Sequence, residues 1–241
     1  MTLYKTGAEL KDMAKYKLDR NYGISMFAFL TVGMLNVSGT LFLDQIIPCR
    51  NFAEYIMYNV VVFFLSVFLG VFQTGTCLFY LNMACGQPYK LDDLFYGFQN
   101  NPKASLRVAF FTEFFAFIAI LPFRAAFYQY VETQNTLLLF ASIVLLVFCT
   151  LFTYPIRLSF AQSFFLLLDF PDYTGSQALS ASIKIMKNQK WRLFLLQLSF
   201  LPLMLLCVLT LFIGFLWLIP YMNMTYTLFF LDIMKTPEQP S

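Results

Sequence analysis

Residues 136–168 read TLLLFASIVLLVFCTLFTYPIRLSFAQSFFLLL, and Arg157 is the one charged residue in this stretch. A helix needs about 20 mostly apolar residues to cross a bilayer core of roughly 30 Å, because lipid offers backbone polar groups no hydrogen-bond partner. As one straight helix the stretch would be about 50 Å long. We therefore predict a membrane-spanning helix that either breaks near Pro155 or extends beyond the membrane.

Other apolar runs meet the same length requirement, and they are residues 24–43, 56–81 and 106–128. The last apolar block, 193–231, is about twice the required length. It contains Gly214, which permits a tight turn, so we predict two spans over 193–211 and 214–231. The expected fold class is all-α: a polytopic membrane protein with six transmembrane helices in a single domain over residues 1–241.

The composition supports lipid as the main solvent and argues against several classes of function. The chain is 59% hydrophobic and 12% charged, whereas a soluble domain carries about 25% charge. It contains no histidine, no Gly-rich phosphate loop and no nucleophile elbow, so we expect no enzyme, no cofactor and no metal site. The net charge is only +3, and nucleic acid is not an expected partner. The partners expected are membrane lipids and another membrane protein or a second copy of the chain.

The positions of the basic residues predict how the chain is oriented. All but three of the 16 Lys and Arg residues lie in the N-terminal segment, the second and fourth connections, and the tail. Arg50 and Arg124 lie on the opposite side, and Arg157 lies inside a span. Cytoplasmic loops of membrane proteins carry the excess of basic residues. We therefore expect both termini in the cytoplasm.

A short amphipathic segment precedes each odd-numbered span. These predicted interfacial helices cover residues 6–21, 91–101 and 176–188. The first and third open on residue pairs with capping-box spacing, Thr6 with Glu9 and Thr174 with Gln177. The odd spans recur at roughly 85 residues, which predicts three repeats of interfacial helix plus helical hairpin. The alternative is that short cytoplasmic connections generally carry basic, amphipathic lead-ins to the membrane.

Two charged residues lie deep within the predicted spans, Glu113 and Arg157. A charge in hydrocarbon costs several kcal/mol unless it is paired or hydrated. The two lie at similar depths in antiparallel neighbouring spans, which predicts a pair. Tyr154 and Pro155 precede Arg157, and a membrane-helix proline frees a backbone carbonyl. These four residues either line a cavity, as broken helices do in transporters, or hold helices together.

Small residues in the second span predict close helix packing. Gly70 and Thr74 have small-xxx-small spacing, and Gly75 adjoins them. Elsewhere Asp169 and Asp172 lie three residues apart at the cytoplasmic end of the fourth span, a spacing that suits a shared magnesium ion, although a solvated helix end explains them better.

Several short motifs resemble an uncharacterised bacterial integral membrane family, domain of unknown function 975. They include Glu9-Leu10-Lys11, Asn21-Tyr22-Gly23, Leu198-Ser199-Phe200, Ile213-Gly214 and Trp217-Leu218 with Pro220-Tyr221. The resemblance implies a multi-pass protein of the bacterial cytoplasmic membrane and brings no activity with it.

Three functions therefore compete at the level of sequence. The leading one is a non-enzymatic accessory or scaffold protein that acts through helix bundling and contacts with partners or lipids. The alternative is a permease or export component with a polar cavity near Glu113 and Arg157. The third is an intramembrane enzyme that modifies lipid, with Asp169 and Asp172 as its metal ligands.

Two native cysteines test the predicted orientation. Cys49 lies in the first external connection, and Cys85 lies in the second, cytoplasmic one. Single-cysteine variants that keep one or the other should be treated in intact cells with a membrane-impermeant thiol reagent. We expect Cys49 to be labelled and Cys85 to stay unlabelled, because only Cys49 faces the reagent. The reverse pattern would overturn the orientation.

Overall fold

A computed structural model describes residues 4–48 and 50–235, so Cys49 lies outside the described residues. Within those ranges the chain is helical and contains no strand. The helices are α1 (Gly7–Leu18), α2 (Tyr22–Ile46), α3 (Phe52–Gly70), α4 (Phe72–Cys85), a 3-10 helix (Leu91–Phe95), α5 (Tyr96–Gln99), α6 (Pro102–Thr133), α7 (Thr136–Phe160), α8 (Ser163–Asp169), α9 (Gly175–Met186), α10 (Lys190–Leu198), α11 (Leu201–Leu209) and α12 (Phe215–Met234).

In the part of the chain that the structure describes, five helical stretches are long and apolar enough to cross a membrane. They are Tyr22–Ile46, Phe52–Cys85, Pro102–Thr133, Thr136–Asp169 and Lys190–Leu209. The all-α class is therefore confirmed, and the five stretches are candidate membrane spans. Helix α12, where the sequence predicts the sixth span, is 20 residues long but carries Pro220, Asn223 and Asp232 and is not among the five.

Helix α12 carries these polar residues in a position that is largely covered by protein. It packs against α1, α2, α4 and α11. Helices α4 and α8 also pack on each other, and the rings of Phe165 on α8 and Phe230 on α12 stack with centroids 4.9 Å apart. In contrast, α2 and α7 leave large apolar side chains exposed, such as Met34, Leu137 and Phe152. Such faces suit contact with lipid.

Each lead-in segment packs on the second helix of a hairpin. Helix α1 packs on α12, the 3-10 helix on α4, and α9 on α8. Both predicted capping boxes, Thr6 with Glu9 and Thr174 with Gln177, are formed. The apolar face of α1 is buried by protein, whereas the sequence predicts that it lies on the membrane surface. The reason is that α12 offers this face a matching apolar partner.

The fourth candidate span breaks after Phe160, at Ala161 and Gln162, and not at Pro155. Proline removes one N–H but leaves the rest of the helical hydrogen bonds in place. At the break itself, the buried hydroxyl of Ser182 on α9 supplies the lost partners. It donates to the Ser159 carbonyl at 2.7 Å and accepts from the Gln162 N–H at 3.3 Å. Helix α9 thus makes the break tolerable.

The fifth candidate span also breaks, between α10 and α11. There the Lys11 ammonium donates to the Ser199 carbonyl at 2.8 Å. The following hairpin turns before α12, as predicted, but Gly214 has an ordinary helical φ of −58°. Positive φ falls instead on Leu211 (52°) and Phe212 (68°). A Cβ at position 214 would lie 2.7 Å from Cys207 Sγ. Glycine at this position therefore allows the backbone to lie close to Cys207 and is not required by the turn conformation.

The small residues of the second span lie at tight contacts. A Cβ on Gly70 would lie 3.1 Å from that of Ala109 on α6. A Cβ on Gly75 would overlap the backbone carbonyl of Leu94 in the 3-10 helix. Thr74 lies beside Gly97, which follows the same 3-10 helix. The 3-10 segment can approach α4 this closely because position 75 has no side chain.

Replacing Gly75 tests this packing. Gly75→Ala should lower the free energy of unfolding by about 1–3 kcal/mol, because the added methyl group must displace backbone. Gly33→Ala is the matched control, since a Cβ there meets nothing within 4 Å and alanine favours a helix by up to about 1 kcal/mol. The midpoint temperature of thermal unfolding in detergent should therefore fall for Gly75→Ala and rise for Gly33→Ala. Equal stability of the two variants would show that the 3-10 segment can move away from the added methyl group at little energetic cost.

Candidate functional site

A polar cavity of about 490 Å³ lies between the candidate spans. Its lining includes Asn36 on α2, Ser66 on α3, Gln73 on α4, Glu113 on α6 and Arg157 on α7. Four of these residues lie at a similar distance from the predicted cytoplasmic end of their spans, roughly 11 to 14 residues. They are Asn36, Gln73, Glu113 and Arg157. That distance is about 17–21 Å along a helix. Four candidate spans therefore bring polar groups together at the middle depth of the apolar stretches.

The cavity holds both charged residues that the sequence singles out. Glu113 is half-buried and Arg157 is exposed within this region. Their charges interact electrostatically. Within residues 4–48 and 50–235 the ion pairs closer than 4.0 Å are Lys15 with Asp12 and Arg192 with Asp232, so Glu113 and Arg157 make no direct pair. They act on each other across the cavity.

Glu113 also borders a second, smaller cavity of about 180 Å³, which it shares with Ser66 and Arg124. Arg124 donates a hydrogen bond to the side chain of Asn59, which is buried. The Tyr55 hydroxyl donates to the Arg124 carbonyl at 3.1 Å. A series of polar groups therefore runs along α3 and α6, with Glu113 between the two cavities.

Tyr154 and Pro155 lie apart from this cavity, although the sequence groups them with Arg157. The Tyr154 hydroxyl hydrogen-bonds the side-chain oxygen of Gln197 on α10, and its ring meets Phe194 edge-on at 5.8 Å. Pro155 is exposed on α7. Tyr154 thus joins α7 to α10, and the polar lining beside Arg157 comes from Asn36 and Gln73 instead.

A buried ion pair that sequence reasoning did not identify joins α10 to α12. Arg192 pairs with Asp232, and the two side chains are 22% and 6% exposed. The backbone of Lys5 donates to Asp232 at 3.2 Å and accepts from Arg192 at 2.6 Å. The guanidinium also lies 4.9 Å from the Phe229 ring centroid. In the sequence Arg192 is one of several basic residues, and its partner is distant along the chain.

The two carboxylates considered as metal ligands lie at the end of the fourth candidate span. Asp169 ends α8, and Asp172 lies in the following turn. Among the residues that the structure describes, no group of three or more His, Cys, Asp and Glu side chains is placed to hold a metal ion.

Comparison with known proteins supports membership of a family without naming an activity. Residues 1–237 match a family model described as "Protein of unknown function (DUF975)". Comparison with curated proteins gave no match, and neither did comparison with solved structures.

A double-mutant cycle measures the interaction between the two cavity charges. Glu113→Leu or Arg157→Leu alone should lower the free energy of unfolding, and the double variant should recover about 1 kcal/mol of the summed loss. A direct buried pair would couple more strongly, since losing one partner costs about 3–5 kcal/mol. Glu113→Leu combined with Lys184→Leu is the control, because Lys184 is exposed on α9. Strict additivity in the first cycle would mean that the two charges do not interact.

Proposed function

The chain belongs to the DUF975 family of proteins of unknown function, and we propose from its polar cavity that it is a permease or export component. In this proposal the protein is not an enzyme and uses no cofactor. It binds a small polar solute at the cavity formed by Asn36, Gln73, Glu113 and Arg157. Its place is the bacterial cytoplasmic membrane.

The observation that carries this proposal is the meeting of two opposite charges and several amides at mid-span depth. Unpaired charges are costly in hydrocarbon, so Glu113 and Arg157 require water or a polar solute beside them. The cavity volume of about 490 Å³ falls within the range of small-molecule sites. A second cavity on the other side of Glu113 extends the polar region toward Arg124. A structural pair would instead be packed and in direct contact.

The proposed topology has six spans with both termini in the cytoplasm. Helix α12 has the 20 residues that a crossing requires, and its lower hydropathy fits a helix enclosed by α1, α2, α4 and α11. The excess of basic residues in alternate connections supports the cytoplasmic placement of both termini.

The proposed architecture is three repeats, each consisting of a lead-in segment and a helical hairpin. The packing supports it, since each lead-in lies against a hairpin's second helix: the 3-10 helix on α4, α9 on α8, and α1 on α12. In two cases that helix is the one just before it in the chain, and in the third it is the last helix. Lead-ins that merely floated at the headgroup boundary would not follow such a cyclic order.

The second candidate is an accessory or scaffold protein that binds a membrane partner or a second copy. It is favoured by an apolar groove of about 580 Å³ along α2, between Phe29 and Leu41. Gly33 lies in this groove with open space around it, which would let a partner helix approach. Lipid can cover the same groove, so the polar cavity remains the stronger guide to function.

Hydration of the cavity separates the two candidates. In a variant without the five native cysteines, Ser66→Cys places a thiol on the wall of both cavities. It should react with a small, charged thiosulfonate, because thiolate forms only where water reaches. Phe64→Cys is the control: it lies two residues away on a face that is 60% exposed, where lipid keeps the thiol protonated.

Reagents of opposite charge extend this test to Glu113 and Arg157. Arg157→Gln should slow the anionic reagent at position 66, and Glu113→Gln should slow the cationic one, each by about fivefold for a loss of about 1 kcal/mol of attraction. If Ser66→Cys is as unreactive as Phe64→Cys, the cavity is dry and the permease proposal fails in favour of the scaffold.

A further inference from the structure

A separate cavity, away from the two cavities that Glu113 lines, lies between α1, α11 and α12. Its volume is about 490 Å³. Most of the walls are apolar or aromatic, and they are formed by Leu203, Leu206, Cys207, Trp217, Leu218, Tyr22 and Tyr221. Lys11 and Lys15 line the end beside α1, while Thr210 and Gly214 line the end beside the hairpin turn. The groove is therefore cationic at one end and apolar along its length.

The two lysines are held in place by contacts that leave donors free. The Lys11 ammonium uses one donor on the Ser199 carbonyl at 2.8 Å and lies 4.0 Å from the Phe200 ring centroid. The Lys15 ammonium lies 6.0 Å from the Tyr221 ring centroid. An ammonium has three N–H donors, so Lys11 retains two for a ligand.

The charge at this end of the groove is positive. Among the described residues the groove lining contains no carboxylate, and Lys15 pairs there with Asp12, at 3.9 Å on the same helix. Partial burial lowers the pKa of Lys11 below its usual range, and the neighbouring charge of Lys15 lowers it further. An anion placed between the two ammonium groups would offset both effects.

The apolar walls open toward the surface that lipid covers. Leu203, Leu206 and Trp217 are 38%, 56% and 51% exposed, whereas Leu218 and Cys207 on the floor are buried. From Leu203 to Thr210 the wall extends about 10 Å along the helix. An acyl chain could enter from the side and lie along this wall, which a soluble anion would leave uncovered.

The geometry points to a binding site for an anionic phospholipid, with its phosphate between Lys11 and Lys15 and one acyl chain along α11 and α12. Basic pockets between membrane helices on the cytoplasmic side recognise anionic headgroups in this way. Because α1 carries both lysines and packs on α12, a bound lipid would also hold α1 in place. This inference does not depend on the proposed permease function.

Trp217 reports directly on this groove. The chain has two tryptophans, so Trp191→Phe leaves Trp217 as the single tryptophan, which can be excited selectively. The protein is reconstituted in two kinds of phosphatidylcholine vesicle that contain a minor share of phosphatidylglycerol. In one, only the phosphatidylglycerol carries brominated chains; in the other, an equal amount of the phosphatidylcholine carries them. We expect stronger quenching of Trp217 by the brominated anionic lipid.

Lysine variants identify the headgroup contacts. Lys15→Gln should reduce the preference for the anionic lipid by about fivefold, and Lys11→Gln with Lys15→Gln should reduce it further toward unity, as expected for about 1 kcal/mol per basic residue. The control is Lys17→Gln with Lys184→Gln, which removes the same charge from residues outside the groove lining. Lys15→Gln removes an exposed contact with Asp12 and a distant contact with the Tyr221 ring, so it tests the site even if the double variant does not fold.

Two results would overturn the inference. Equal quenching by both brominated lipids in the protein with all lysines would show that the groove has no preference for an anion. A preference that falls as much in the Lys17→Gln, Lys184→Gln control as in the groove variants would reflect total charge and not a site at Lys11 and Lys15.

Discussion

The fold depends on the need to give every backbone polar group a partner inside lipid. Three of the five candidate spans break, and each break lies against a lead-in segment. Lys11 of α1 binds the carbonyl of Ser199, and Ser182 of α9 closes the gap between α7 and α8. Gly97, after the 3-10 helix, lies against the carbonyl of Val71 between α3 and α4. The lead-ins therefore complete the spans that they accompany.

This arrangement also explains how polar residues are distributed between the helices. Helices that face lipid must be almost wholly apolar, as α7 is outside Arg157. Helix α12, enclosed by its neighbours, can carry Asn223 and a buried Asp232 that pairs with Arg192. The polar cavity is lined from α2, α3, α4, α6 and α7, so polar groups from several helices share one site.

The sequence predicts the features that depend on length and composition. Five of the apolar runs form candidate spans, and the two charges within them, Glu113 and Arg157, line the same cavity. The position of the break after Phe160 could not be predicted, because it is set by Ser182, a distant residue with an unremarkable local pattern. The ion pair between Arg192 and Asp232 could not be predicted from the sequence for the same reason. Periodicity reports which face is apolar, but not which helix will cover it.

The contact between α1 and α12 has a consequence for how the protein is made. The Lys5 N–H and the Asp232 carboxylate are 227 positions apart in the chain, so α1 leaves the ribosome long before its partner α12. Until then the apolar face of α1, with Leu10, Ala14 and Leu18, has no protein to cover it. Its amphipathic pattern suits a temporary stay at the membrane surface. The contact between α1 and α12 can form only after α12 has been synthesised, so the order of synthesis limits the order of folding.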